Sequence, residues 1–168
     1  NLSSKTVPSR KTFVFGSTMI RYSHTNLIAH DVLRMIAFYR DVLGCRSIGQ
    51  TRDIRGEWVE RLTGIPGAHI FGEHLALPGF AEEGPTLEIL GYDTVVPHTA
   101  RCVNASGFTH LAFAVDDVDA ALESVLSHGG GQIGERVENR YADGRMLTAV
   151  YASDPEGNIL ELQNWRNT

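Results

Sequence analysis

The chain has 168 residues, a net charge of -5 and 42% hydrophobic residues, which is typical of one soluble globular domain and excludes a disordered or fibrous chain. Nucleic acid and membrane are not expected partners, because the sequence lacks both a basic cluster and an apolar run of about 18 residues. The two cysteines, Cys45 and Cys102, predict neither a disulfide framework nor a cysteine zinc site, and we expect a cytoplasmic protein.

The predicted elements begin after an N-terminal tail of residues 1–18, which is rich in Ser, Thr and Lys and has no long apolar core. Apolar periodicity then predicts a strand over residues 24–28 and an amphipathic helix over residues 32–43. A short lid-like helix over residues 56–66 follows, and then two more strands over residues 68–77 and 86–90. Residues 92–106 contain Pro97 and little periodicity, which predicts a linker.

The second half of the chain repeats the first at an offset of 86 residues. This offset needs no gap to align His24 with His110, Asp31 with Asp117, and Gly44 with Gly130. In the second copy, the pattern predicts a strand over residues 110–115 and a helix over residues 118–126 that ends at a glycine run. Two further strands are predicted over residues 145–152 and 159–163. Each copy has room for one further strand and therefore reads strand, helix, strand, strand, strand.

The sequence thus predicts an α+β fold in which two βαβββ modules, residues 19–92 and 106–166, form one domain over residues 19–168. Neither module could bury its apolar face alone. We expect the two half-sheets to pair into a cup-shaped open barrel with the helices outside.

Strand alternation turns the apolar residues of each first and last strand toward the helices. The opposite faces then place four ionisable residues in the cup: His24, Glu88, His110 and Glu161. A buried, unpaired carboxylate costs several kcal/mol, and a divalent cation removes that cost. Two imidazoles and two carboxylates suit Zn, Ni, Co, Mn or Fe(II). The alternative is two His–Glu hydrogen bonds that line a polar cavity.

Five motifs occur in order: HTNL from residue 24, FYRDVLG from 38, LEIL from 87, FTHLAF from 108, and DPEGN from 154, which is followed by LEL from 160. As an ordered set they resemble the glyoxalase/bleomycin-resistance/extradiol-dioxygenase group, the vicinal oxygen chelate superfamily, over about residues 21–165. The resemblance implies paired βαβββ modules around a metal ion. It also implies that the ligands are His24, Glu88, His110 and Glu161, with open coordination positions for water or substrate oxygens.

The four-ligand set resembles glyoxalase I, which implies a lyase, isomerase or epimerase that transfers a proton on a small carbonyl or thioester substrate. Glu161 is the expected proton-transfer base, with Glu88 as the second catalytic carboxylate. The resemblance further implies a homodimer that binds a small molecule. The candidate substrate-binding residues are Asn26, Tyr92, Arg140 and Arg145.

Two positions depart from glyoxalase I, which usually has Arg four residues after its first ligand and Asn four residues after its second. Ile28 and Tyr92 stand there, so we expect poor activity on a glutathione adduct. The alternatives are a metal-dependent thiol transferase or dioxygenase of the same superfamily, and a metal-free small-molecule-binding protein of the resistance type.

Further inner-face candidates come from the strand over residues 68–77. His69 and His74 fall on opposite faces of this strand, so at most one of them lines the cup, and Glu73 is a second candidate base. Trp58 and Phe80 are expected to pack in the core rather than to cap the pocket.

Overall fold

The structure of the protein, a computed structural model, describes residues 14–15, 18–97 and 101–167. Most of the expected N-terminal tail lies outside the described residues. Within it, β1 (Val14–Phe15) and β2 (Thr18–Met19) form a short antiparallel ladder. The first module begins after this ladder, at His24.

The first module is one four-stranded mixed sheet with two helices. Its elements are β3 (His24–Ile28), α1 (Val32–Asp41), β4 (Arg46–Ile54), α2 (Glu57–Thr63), β5 (Ile70–Ala76) and β6 (Thr86–Tyr92). The strand order is β3-β6-β5-β4, in which β3 runs parallel to β6 and the other neighbours are antiparallel.

The second module repeats this sheet with a single helix. Its elements are β7 (His110–Ala114), α3 (Val118–Ser127), β8 (Gly131–Arg140), β9 (Met146–Ser153) and β10 (Ile159–Arg166). The strand order is β7-β10-β9-β8, with β7 parallel to β10. The α+β class and the two βαβββ modules are confirmed, and β4 and β8 are the strands that the sequence required but did not locate.

The repeated aspartates start the module helices. Asp31 Oδ1 accepts a hydrogen bond from the N–H of Arg34 at 3.0 Å, and Asp117 Oδ1 accepts one from the N–H of Ala120 at 3.0 Å. Such N-caps satisfy N–H groups that a helix leaves unpaired in its first turn. None of the helices in the described part of the chain is long and apolar enough to cross a membrane.

The two modules pair on their helix sides and share one core. Buried residues of α1 and α3, and of strands from both sheets, belong to a single apolar cluster. The Tyr39 hydroxyl donates to Asp154 Oδ2 at 3.0 Å, and Glu156 accepts from the N–H groups of His30 and Asp31 at 3.0 and 2.7 Å. Burial raises the pKa of both Tyr39 and Asp154, because it disfavours the charged form of each group. The hydrogen bond between them links the two modules.

The His-bearing faces of the two sheets lie on the sides away from the helices. Leu87 and Ile89 of β6, and Leu160 and Leu162 of β10, are fully buried against the helices. Among the described residues, no strand ladder joins the two sheets. Each sheet therefore ends at an edge strand, β3 or β7, that begins with the predicted histidine ligand.

Candidate metal centre

The first sheet brings His24 and Glu88 together. Asn26 of β3 lies opposite Glu88 of β6, and this register places His24 Nε2 3.1 Å from Glu88 Oε2. Asn26 Nδ2 donates to the same carboxylate oxygen at 3.3 Å. The Glu88 side chain is only 13% exposed, so these neighbours rather than water supply most of its contacts.

The second sheet forms the same pair from the same atoms. His110 Nε2 lies 3.2 Å from Glu161 Oε2, and the Glu161 side chain is 20% exposed. Tyr151 of β9 stands directly opposite Glu161. The Tyr151 ring meets the His110 ring edge-on, with centroids 5.3 Å apart.

The two pairs suit divalent-metal ligation. Two ligand atoms that each lie about 2.1 Å from one ion are about 3.0–3.4 Å apart at bond angles near 90–110°. The observed separations of 3.1 and 3.2 Å match that requirement without rearrangement of the strands. Each pair can therefore supply one imidazole nitrogen and one carboxylate oxygen to the same ion.

The structure does not bring the two pairs together within one chain. In the described ranges, no group of three or more His, Cys, Asp or Glu side chains is arranged to hold a metal ion. The expected convergence of all four residues on one concavity is therefore not seen, because the pairs belong to sheets that are not joined edge to edge. The assignment of these four residues as metal ligands stays a prediction.

Two residues that the sequence analysis did not assign surround Glu88. His74 Nε2 contacts Glu88 Oε1, and His74 Nδ1 lies 3.2 Å from Thr86 Oγ1. Arg52 Nη2 donates to His74 Nε2 at 2.6 Å. Burial lowers the pKa of His74, and the neighbouring Glu88 carboxylate opposes that shift. His74, rather than His69, therefore lies on the face that carries Glu88, which is the inner face.

The corresponding positions in the second module hold different residues. His74 lies opposite Glu88, as Tyr151 lies opposite Glu161. Arg52 lies opposite Gly72, two residues before His74, and Val137 lies opposite Ala149, two residues before Tyr151. The two His–Glu pairs are therefore equivalent, whereas the side chains beside them are not.

The other predicted substrate-binding residues lie at strand ends or in the turn between β8 and β9. Tyr92 packs at the end of β6 against a small buried cluster that includes Val59 of α2. Arg140 is the last residue of β8, rather than a loop residue, because the β8 ladder continues to the pair Arg140–Met146. Arg145 Nε donates to Asp143 Oδ2 at 2.7 Å, and its guanidinium lies 4.8 Å from the centre of the Trp165 ring.

Three secondary expectations are wrong. Glu73 is not in the cup, because alternation places it on the helix side with Leu75, where it accepts a hydrogen bond from Thr51 at 3.5 Å. Trp58 and Phe80 are not core residues, since they are 58% and 53% exposed. Helix α2 instead buries Val59 on the inner face and turns Trp58 outward.

A family model described as the Glyoxalase/Bleomycin resistance protein/Dioxygenase superfamily matches residues 21–162. The chain belongs to this superfamily. The protein is 31% identical to an uncharacterised Escherichia coli protein, YaeR, over 83% of this chain and 92% of YaeR. It is 26% identical to a lactoylglutathione lyase of Haemophilus influenzae, over 86% of this chain and 93% of that enzyme.

The fold agrees with this membership. A glyoxalase family protein from Bacillus cereus superimposes with a TM-score of 0.74 and 22% identity, over 89% of this chain and 96% of that one. At this identity the likeness shows the fold alone. The superfamily includes enzymes such as the lactoylglutathione lyase above, so the site geometry must carry any statement about this chain's own chemistry.

Proposed function

We propose that the protein is a metal-dependent lyase, isomerase or epimerase that transfers a proton on a small carbonyl or thioester substrate. The observation that carries this proposal is the His Nε2–Glu Oε2 pair, which the two modules form independently at repeat-equivalent positions. His24, Glu88, His110 and Glu161 would hold one divalent ion. A bound ion would act as a Lewis acid that polarises the substrate oxygens and acidifies the neighbouring carbon.

Glu161 is the better proton acceptor of the two carboxylates. Glu88 contacts two histidines, accepts a hydrogen bond from Asn26 and has an arginine nearby, whereas the ion pair of Glu161 is with His110. Glu161 is also the more exposed side chain. It can therefore turn toward a substrate carbon with fewer contacts to break, while Glu88 stays a fixed ligand.

We further propose that two copies of the chain complete the site. The supporting observations are the free edges of β3 and β7, which have a strand neighbour on one side only among the described residues, and the two His–Glu pairs, which lie on separate sheets, on the faces away from the helices. In this assembly, the first sheet of one copy meets the second sheet of the other, so that each dimer has two sites.

Mixed dimers test this assembly. His24→Ala and His110→Ala chains with different affinity tags would be co-expressed, and heterodimers would be isolated. A site shared between copies leaves one of the two sites intact in the heterodimer, and half of the wild-type tight metal binding returns. A heterodimer that binds no metal, or a monomeric wild-type protein at micromolar concentration, would contradict the shared site.

The glutathione adduct of methylglyoxal is expected to be a poor substrate, despite the relative that is named a lactoylglutathione lyase. Ile28 and Tyr92 cannot supply the charged and amide contacts expected for glutathione. Each lost polar contact costs about 1–3 kcal/mol. Turnover of this adduct at micromolar concentration, measured by absorbance, would contradict the expectation.

The proposed function is tested by metal analysis and a substrate screen. Protein purified without added metal should contain about one divalent ion per assembled site, and chelation should abolish turnover. Hemithioacetals and acyl-CoA epimers would test proton transfer, and catechols and thiol acceptors would test the dioxygenase and transferase alternatives. A protein that binds no metal but retains a small ligand would support the metal-free binding alternative and contradict the proposal.

A further inference from the structure

The first sheet has a positively charged side chain near its glutamate at a position where the second sheet has an uncharged one. Arg52 of β4 lies opposite Gly72, whereas the equivalent residue of β8, Val137, is aliphatic. Arg52 is part of the surroundings of Glu88, with Nε 3.9 Å from Glu88 Oε1. At this position, one wall of the proposed site is therefore cationic and the other is aliphatic.

A bulge in β4 brings Arg52 to this position. Between the pairs Ile48–His74 and Arg52–Gly72, β4 advances four residues while β5 advances two. Gly49, within the bulge, has a φ of 72°, which favours glycine over other residues. Bulges bend a strand and redirect its side chains, and they are frequent beside active sites.

Arg52 makes one hydrogen bond through its guanidinium in the described structure, which leaves further N–H groups unpaired. Its Nη2 donates to His74 Nε2 at 2.6 Å, but the 3.9 Å from Nε to Glu88 Oε1 is too long for a hydrogen bond. In the described structure, the Nε atom is buried and has no hydrogen-bond partner. The side chain as a whole is 41% exposed, so a ligand on the inner face can reach the guanidinium.

Arg145, the main rival for an anionic ligand, is already engaged. Its guanidinium lies over the Trp165 ring and its Nε donates to Asp143, with which it also forms an ion pair. The acidic neighbour of Arg52 is instead Glu88, which the proposed function assigns to the metal. Once Glu88 is a metal ligand, the Arg52 charge is available to another anion.

We propose that Arg52 binds an oxyanion of the substrate, which makes the substrates small carbonyl compounds that carry a carboxylate or a phosphate-type group. This inference rests on the proposed function, because the metal takes Glu88. A planar guanidinium with several free N–H groups binds two oxygens of such an anion side by side. Arg52 is thus a specificity-determining residue, and the wall of Tyr151 and Val137 faces the uncharged part of the substrate.

Three hydroxamate probes test this assignment on the Co(II)-loaded protein. All three chelate through the same hydroxamate group, but acetohydroxamate has a neutral end, succinate monohydroxamate a carboxylate, and phosphonoacetohydroxamate a phosphonate. Dissociation constants would be measured from the visible Co(II) absorption for the wild type, Arg52→Gln and Arg145→Gln. Arg46→Gln is the matched control, since Arg46 is an exposed residue at the opposite end of the same strand.

Arg52→Gln should weaken one or both anionic probes by about 10- to 100-fold and leave acetohydroxamate within about twofold. Arg46→Gln and Arg145→Gln should change no probe by more than about twofold. The weakened probe shows whether a carboxylate or a phosphonate is preferred.

Three results would overturn the inference. Equal weakening of all probes by Arg52→Gln would mean that Arg52 acts only through Glu88 and the metal. An unchanged anion preference in Arg52→Gln, or its loss in Arg145→Gln, would also reject Arg52. In each of these cases the proposed function stands, because Co(II) is bound. A wild-type protein that binds no Co(II) would instead overturn the proposed function, and the Arg52 assignment with it.

Discussion

In the first module Glu88 has two histidines, an asparagine and an arginine around it, whereas Glu161 of the second module has one histidine and the ring of Tyr151 beside it. The strand order, the register and the His–Glu separation are the same in both. Duplication has therefore kept the atoms that suit a metal and changed the groups beside them. We therefore expect both modules to share the ion, with the first module also binding an anion and the second moving a proton.

Exchange of each glutamate for glutamine should separate these two roles most strongly. Glu161→Gln should slow proton exchange at the substrate carbon by about 10²–10⁴, the usual contribution of a general base. Glu88→Gln should slow it less, since a glutamine can still supply a ligand oxygen. Solvent deuterium incorporation measures both, with metal content determined on the same samples. Wild-type exchange by a metal-loaded Glu161→Gln protein would make Glu161 a ligand only.

Matched core truncations test whether the modules fold as one unit. Leu87 and Leu160 precede the two glutamates, are fully buried and belong to the same apolar cluster. Leu87→Ala and Leu160→Ala should each lower the free energy of unfolding by about 2–5 kcal/mol. Both variants should still unfold in one transition in urea. Two separate transitions in either variant would show that the modules are independent.

The junction between the modules offers a smaller test. Tyr39 is fully buried, and its hydroxyl donates to the buried Asp154 carboxyl across the junction. Tyr39→Phe keeps the ring but leaves Asp154 with one donor fewer, so we expect a loss of about 1–2 kcal/mol. Phe38→Leu, next to it on α1, is a control for ring packing without the hydroxyl. Equal stability of Tyr39→Phe and wild type in urea would contradict the role of this bond.

His69 of the first module should make stability depend on pH. His69 Nδ1 lies 2.6 Å from Asp93 Oδ1 and its Nε2 lies 2.8 Å from Asp53 Oδ1. These hydrogen bonds, that to Asp93 first, raise the pKa of His69 above its ordinary 6.5. At the equivalent place the second module has Arg166 beside Glu138, 3.4 Å apart, and arginine does not titrate in this range.

Because the folded-state pKa of His69 is raised, its stabilisation is complete below pH 6.5 and is lost as the pH rises through the folded value. The stability difference between wild type and His69→Gln should therefore shrink above pH 6.5. Melting temperatures from pH 5.5 to 8.5 measure this difference, with Arg166→Gln as the non-titrating counterpart. A difference that does not change with pH would mean that His69 is not charged in the folded protein.

The sequence was sufficient for the modules and for the sheet face on which each predicted ligand lies. The 86-residue offset aligned both copies, and alternation on short strands correctly turned Leu87 and Leu160 toward the helices and their glutamate neighbours away. Side chains alternate between the two faces of a strand, so the sequence of one strand predicts which residues share a face even when its partner strands are unknown.

The sequence was not sufficient for the surroundings of Glu88. Arg52 is aligned with Gly72 only because β4 contains a bulge, and no periodicity reports how many extra residues a bulge contains. The contact of His74 with Glu88 depends on cross-strand register in the same way. Alternation also could not show that the two His–Glu pairs lie on separate sheets. It predicts the face on which a side chain lies, but not which strand pairs with the edge of a sheet.

Metal titration of His24→Ala and His110→Ala tests the central claim most directly, since each removes one imidazole from one of the two equivalent pairs. Calorimetry with Co(II) or Zn(II) on the chelator-treated protein would measure affinity and stoichiometry. If the two pairs form one site, the wild type binds one ion for every two pairs, and both variants lose affinity by a similar factor of about 100 or more, the loss expected for one of four ligands. Unchanged affinity in His110→Ala, or one ion for each pair, would contradict a shared metal site.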